Sequence, residues 1–221
     1  MNNWLSLILC IVYIFGIIGA AELLRHRLKY QPSFTRKVIH IGVGMMSWVV
    51  PFIFDSPWYF VSACLFFAVI TFLDWRYHLF AAMASSDPSN LGTVYFPIAA
   101  AAVTIVFWEN PPLMVAALMP LTWGDGIAPV IGRAFGKHSY TVWGHTRTLQ
   151  GSAGFFVFGM LFTWLALWII PGPIDITPLS AILPALVIML LTTLVEAISI
   201  WGLDNLTITA GAIMVLLLWP F

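Results

Sequence analysis

The chain is a series of apolar runs, each near the length a hydrocarbon layer demands, and every basic residue falls in the gaps on one side of them. The runs lie at residues 4–24, 38–54, 57–73, 92–108, 112–131, 151–170, 180–200 and 206–221. Crossing about 30 Å of hydrocarbon takes roughly 20 helical residues. Threaded alternately through a membrane, they put Arg25, Arg27, Lys29, Arg36, Lys37, Arg76, Arg133, Lys137 and Arg147 on one side and only Asp55, Glu109 and Asp175 in the opposite turns. Loops rich in Lys and Arg stay in the cytoplasm, so that side is read as the inner one and both termini as outside. With 61% hydrophobic and 8% charged residues, an ordinary soluble domain is excluded, since such domains carry about a quarter charged residues. The expected fold is all-α: a polytopic membrane bundle of seven or eight transmembrane helices forming one integral domain over residues 1–221. The runs at 38–54, 92–108 and 206–221 are short enough to be tilted or half-inserted.

The first run has neither a charged leading segment nor a small-residue cleavage pattern, so it reads as a retained helix. Cys10 and Cys64 sit inside expected spans without Cys/His spacing, which suggests neither a disulfide nor a zinc site. His78, His138 and His145 likewise share no metal-ligand spacing. Tight Pro-rich turns suit helical hairpins, and no internal repeat or linker is evident. The charge pattern calls for no nucleic-acid partner, and the oligomeric state is left open. The catalytic face is expected from the inner ends, over residues 25–40, 74–91, 124–152 and 196–206.

The densest polar segment runs from Trp123 to His138. Asp125 lies inside an apolar run, where an unpaired charge is costly enough to imply function. A Mg²⁺ ion would neutralise it. Gly124 and Gly126 let a ligand approach the backbone, and Pro129 is expected to break the helix. Arg133 and Lys137 share a helical face at i, i+4 and suit phosphate oxygens. The competing reading makes Gly132 and Gly136 a close-packing pair and the two cations membrane anchors. The segment is not a Walker A loop, because three residues separate its last glycines and His138 follows Lys137.

Three further clusters lie on the same side. Arg147, Thr148, Gly151 and Ser152 stand where the sixth run begins, so the free N–H groups of a helix start face the interface; an anion site and a plain polar helix start both fit. Glu196 lies about one turn inside the membrane, with Asp204 and Asn205 in the next turn, so these acids offer oxygens at the depth of Asp125. Arg36, Lys37 and His40 meet on one face of the second run, either to hold a phosphate or to anchor and pack. Asp74, Arg76 and Asn90 are weaker candidates, with snorkelling and capping as their default roles.

In this order, the Arg36-Lys37-x-x-His40 segment, Gly124-Asp125-x-x-Ala128 continuing to Gly132-Arg133-x-Phe135-Gly136-Lys137, Thr148-Leu149-x-Gly151-Ser152, and Glu196-Ala197-x-Ser199-x-x-Gly202-Leu203-Asp204-Asn205 resemble the polyprenol kinase family, which includes dolichol, phytol and farnesol kinases and CTP-dependent diacylglycerol kinase. The match runs from residue 36 to about 209. The resemblance implies Mg²⁺-assisted phosphoryl transfer from CTP to the hydroxyl of a membrane lipid alcohol, such as phytol, farnesol, a polyprenol or diacylglycerol. Where the family has Lys and Glu in K-[S/T]-x-E-G, this chain has Arg147 and Gln150; Arg still holds phosphate, whereas Gln cannot act as a carboxylate base.

Phosphoryl transfer is mostly positioning and charge neutralisation. The resemblance thus implies Asp125, Glu196 and Asp204 as the catalytic and metal-binding acids. Arg36, Lys37, His40, Gly124, Gly126, Gly132, Arg133, Gly136, Lys137, Arg147, Thr148, Gly151, Ser152 and Asn205 would form the nucleotide and phosphate site. Either Asp125 or Glu196 would take the alcohol proton, and the prenyl chain would stay in the bilayer, entering between helices. The site would face the cytoplasm from an inner membrane in a prokaryote, or from an endoplasmic-reticulum or plastid-type membrane otherwise. A phosphatidate cytidylyltransferase would share CTP and Mg²⁺ but carries a long basic, glycine-rich signature missing here. A CDP-alcohol phosphotransferase would need further acids after Asp125-Gly126. A small transporter would spread ionisable groups across the membrane, and the outer half here has almost none.

Overall fold

The structure is a computed structural model that describes residues 2–83 and 89–221. Residues 84–88, part of the 74–91 loop expected on the catalytic face, lie outside the described residues.

Several helices begin at a proline or a polar cap, and two end where the chain turns left-handed. The helices are α1 (Asn3–Leu28), α2 (Pro32–Gly44), a 3₁₀ turn (Met45–Trp48), α3 (Val50–Ile53), α4 (Pro57–Tyr77) and α5 (Gly92–Phe107). After these come α6 (Pro111–Met119), a π-helical turn (Pro120–Asp125), α7 (Gly126–Phe135), α8 (Leu149–Ile169), α9 (Ile182–Ile198) and α10 (Asp204–Leu218). Proline stands in the first turn of α2, α4 and α6, where its missing N–H has no intrahelical partner to lose. Lys29 and His78, at φ 59° and 56°, close α1 and α4 in the left-handed conformation.

The helical bundle follows expectation, with helix in every expected run. By length and composition, four helices are apolar enough to cross a membrane: α1, α4, the continuous stretch Pro111–Phe135 and α8. The apolar helices α5, α9 and α10 are shorter, at 16, 17 and 15 residues. The run at 38–54 is not one helix: the ring of Pro51 excludes the carbonyl one turn before it, so α2 ends at Gly44 and the chain restarts as α3.

Two differences from the sequence reading bear on the site. Pro129 does not break its helix, and α7 runs through it to Phe135. The irregularity sits one segment earlier, where Pro120 has no N–H to give and the backbone widens into a π turn ending at Asp125. The second difference is a strand pair. β1 (Ser139–Val142) and β2 (His145–Thr148) form an antiparallel hairpin across Trp143-Gly144, both at positive φ (51° and 80°), so the loop 132–150 carries a short strand pair on an otherwise all-α bundle. Alternating β-branched and aromatic residues around a turn ending in Gly were the signal for it.

The helix running from α6 through α7 is the centre of the bundle. Of its apolar window 67% is buried, against 22% for α1, and α2, α5, α8, α9 and α10 all pack on it or on its π turn. Every residue from Leu113 to Leu121 on this helix is buried. α1 instead turns Trp4, Leu5, Ile8, Leu9 and Val12 outward, as a lipid-facing helix does. Connections gather at two ends. At one, Asn3 bonds Asp55 and Gly172 packs on Pro112. At the other, Thr35 bonds the Ala82 carbonyl, Glu22 accepts from the Ala82 N–H, and Asn205 bonds the Gly92 carbonyl. The polar clusters lie at this second end.

Candidate active site

Asp125 closes the π turn of the central helix, and α2 comes close enough to reach it. That approach depends on glycine: a Cβ on Gly44 would collide with Thr122, and one on Gly126 would collide with Ile41. With the helices so close, Lys37 Nζ stands 2.7 Å from Asp125 Oδ2, and His40 Nε2 lies 3.4 Å from the same oxygen. His40 Nε2 is also 2.8 Å from the Leu121 carbonyl, and its ring packs on Phe96 with centroids 4.5 Å apart. The side chains of Lys37 and Asp125 are 11% and 14% exposed, so this ion pair is largely desolvated and breaking it is costly.

Lys37, His40 and Asp125 stand at the mouth of a cavity with about 1130 Å³ of empty space, the open mouth included. Arg36, Asn90, Thr93, Asp204 and Asn205 complete its polar rim. Its interior is apolar, walled by α1, α2, α4 and α5. Asp204 is the first residue of α10 and accepts from the Asn205 N–H. Asn205 is buried and donates from Nδ2 to the Gly92 carbonyl at 2.8 Å, while its Oδ1 has no partner among the described residues. Gly202, at φ 81°, allows the turn before α10 to press against Gly92. Segments 113 residues apart in sequence thereby meet beside the cavity.

Glu196 lies on a separate arm. Arg147, on β2, donates from Nε to Glu196 Oε1 at 2.7 Å and from its other nitrogens to the Ala197 and Ser199 carbonyls at 3.1 and 2.7 Å. The guanidinium caps the end of α9 and ties the hairpin to it. Glu196 does not line the cavity, though its Oε2 is buried without a partner among the described residues. Asp125, Asp204 and Glu196 lie within electrostatic reach of one another.

The remaining sequence candidates divide clearly. Thr148 caps α8 by accepting from the Gly151 N–H at 3.1 Å, and Ser152 bonds the Tyr140 hydroxyl at 2.6 Å, so this helix start is occupied by the chain itself. Gln150 accepts from the Lys137 and His138 N–H groups. Gly124 packs on Phe155, and Gly132, Gly136 and Gly151 press together around Thr148. At each of these glycines a Cβ would crowd a neighbouring side chain or backbone atom. Arg133 and Lys137 are exposed, with Arg133 reaching the Ser33 carbonyl at 3.5 Å, beside the start of α2. Asp74 accepts from the Phe80 N–H and shapes the turn after α4. Sequence reasoning missed Thr122, which is buried, lines the cavity and leaves its hydroxyl without a partner among the described residues. Its position one turn before Asp125 on the same helix was the available signal.

Mg²⁺ is best tested on the donor set. Among the described residues no three His, Cys, Asp or Glu side chains gather into a metal cage. Mg²⁺ bound with nucleotide needs only one or two carboxylates beside the phosphates. Asp125 and Asp204 both line the cavity, and Asp125 Oδ1 and Asp204 Oδ2 carry no hydrogen bond among the described residues. The residues fit a nucleotide-borne ion and not a protein-enclosed one.

The fold and site thus define a membrane-type helical bundle with a polar-rimmed apolar cavity. Its relatives are kinases of isoprenoid alcohols. The chain is 26% identical over 215 residues to a phytol kinase of Synechocystis sp., covering 96% of this chain and 90% of that one. It is 27% identical over 225 residues to a probable chloroplastic phytol kinase of Triticum aestivum, covering 91% and 72%. It is 25% identical over 214 residues to a chloroplastic farnesol kinase of Arabidopsis thaliana, covering 88% and 68%. These similarities bear out the polyprenol-kinase resemblance drawn from the motifs. No family model and no solved structure matches the chain.

Proposed function

We propose that this protein is a CTP-dependent kinase that transfers the γ-phosphoryl group to the hydroxyl of an isoprenoid alcohol at the cytoplasmic face of a membrane. The observation that carries this reading is the cavity, whose rim holds two carboxylates and two cations above an apolar interior. A lipid alcohol has the same division: one polar end that reacts and one apolar tail that must stay dry.

Asp125 is the group that orients the acceptor hydroxyl and takes its proton, because it alone among the acids stands beside both the rim and, through Thr122, the apolar wall. Lys37 donates to its Oδ2 and aims it. His40, fixed by the Leu121 carbonyl and Phe96, holds the carboxylate's other side. Arg36 on the rim, with Arg133 and Lys137 on the adjoining surface, draws in and holds the phosphates. Asp125 and Asp204 would hold Mg²⁺, which when bound offsets phosphate charge. Glu196 and Arg147 serve as a brace that sets the hairpin and the α9–α10 turn carrying Asp204. In the transfer, the alcohol oxygen forms a bond to the γ-phosphorus, the bond to the nucleoside diphosphate breaks, and the proton passes to Asp125.

Purified protein supplied with labelled CTP, ATP or GTP, and with phytol, farnesol, a long polyprenol or diacylglycerol, tests this. A labelled lipid monophosphate made fastest from CTP and lost in Asp125→Asn is expected. Pyrophosphate release with a CDP-lipid product would overturn it.

A further inference from the structure

The apolar interior of the cavity reaches well past anything phosphate chemistry requires. From the rim it descends between α2 and α5 along Phe96, Pro97 and Ala100, and along α4 through Thr71, Phe67, Cys64 and Ala63 to Phe60. Thr71 and Phe60 are eleven residues apart on one helix, so this part alone is about 16 Å deep by helix rise. Phe60 sits on the first turn of α4, at the end of the bundle opposite the polar clusters, and closes the bottom together with Met46. Ile14 and Ile18 of α1 add to the lining, so residues of α1, α2, α4 and α5 flank the cavity along this depth.

We infer that the bundle encloses the acceptor's hydrocarbon tail in this channel, with the hydroxyl at Asp125 and Thr122 and the tail end at Phe60, and that channel depth limits the accepted chain to about three or four isoprene units. The inference rests on the lipid-alcohol reading above and departs from a tail left among the membrane lipids. Each isoprene unit contributes four chain carbons, and bonds of about 1.5 Å laid in zigzag advance it by about 5 Å. Three units fill the depth from Thr71 to Phe60, and a fourth spans the remaining distance to the rim. Asp125, Thr122 and Asn205 are the polar residues of the cavity lining nearest this end of the apolar stretch, and the carboxylate of Asp125 is the group that would receive the alcohol's hydroxyl. A long polyprenol has no room inside.

The experiment uses the full chain in detergent with geraniol, farnesol, phytol and a long polyprenol, in the wild type, Ala63→Phe and Phe60→Ala. Two quantities are read: the rate of phosphorylation, and retention of the tritiated alcohol by the protein through gel filtration. Ala63 is buried in the channel wall one turn above Phe60, so a phenyl ring there shortens the channel. The wild type is expected to retain and turn over farnesol and phytol, and the long polyprenol poorly. Ala63→Phe is expected to shift preference toward geraniol by about tenfold relative to phytol, and Phe60→Ala to shift it toward longer chains. A profile unchanged in both variants, a fall of the same size at every chain length, or wild-type use of the long polyprenol equal to phytol overturns the channel while leaving the kinase reading intact. If no alcohol is phosphorylated, the kinase reading fails, and retention alone decides the channel: selective loss of phytol in Ala63→Phe upholds it and undiminished retention overturns it. Should Ala63→Phe not fold, Phe60→Ala decides by the same two readouts.

Discussion

Lys37 Nζ lies 2.7 Å from Asp125 Oδ2, an ion pair between residues 88 positions apart that joins the second helix to the π turn of the central one. It engages one oxygen of Asp125 and leaves Oδ1 without a hydrogen bond among the described residues. Four expectations follow from this pair and its surroundings.

Lys37→Met leaves the Asp125 carboxylate largely desolvated with its ammonium removed. Breaking one partner of such a pair costs about 3–5 kcal/mol, so the thermal midpoint falls and transfer activity is lost. The double variant Lys37→Met with Asp125→Asn regains much of the stability and none of the activity. Thermal melts in detergent beside an initial-rate assay separate the two effects, and a double variant no more stable than the single would sink the account.

Arg36 lines the rim and forms no ion pair among the described residues, so its charge is available to a phosphate. Arg36→Ala removes a charge-assisted contact of about 1.5–3 kcal/mol, which raises the nucleotide KM by about one to two orders of magnitude. The melting temperature stays at the wild-type value. Steady-state kinetics against CTP check this, and an unchanged KM rejects phosphate binding at this position.

Arg147 is saturated by Glu196 and the carbonyls of Ala197 and Ser199, so Arg147→Lys acts on the fold and not on the nucleotide. A lysine cannot make all three contacts, and stability drops by about 1–3 kcal/mol. Nucleotide KM in the fraction that remains folded is the discriminating measurement: a large increase would assign Arg147 to the phosphates.

Gly126→Ala inserts a methyl group into the side chain of Ile41 and forces α2 away from Asp125. Overpacking of this kind costs about 1–3 kcal/mol and misplaces Lys37. Adding Ile41→Ala restores both stability and activity if helix separation is the cause. Failure of that rescue, with stability recovered but no activity, would instead make Gly126 a ligand contact.

The sequence determined the membrane-type bundle, because runs such as 57–73 and 151–170 are continuously apolar and hydrocarbon permits no other backbone arrangement for them. It also marked Asp125, Glu196 and Asp204, since charged residues within or beside apolar runs are costly without a role, and the family resemblance added Arg36 and Lys37. It pointed as well toward nucleotide-binding glycines; in the fold Gly124 lies against Phe155 and Gly132, Gly136 and Gly151 against Thr148, closeness that no pattern of spacing announces. Likewise, Arg147 read as one more phosphate ligand, and only the folded chain brings the end of α9 to it. The cavity had no signature at all: Ala63, Phe60 and Ala100 are ordinary apolar helix residues until α4 and α5 pack side by side. Local composition fixes what each segment must avoid, water or lipid, because that energy is set residue by residue. Which side chains meet, and what space they leave between them, depends on how closely helices far apart in the chain approach, and that is decided by all their contacts together.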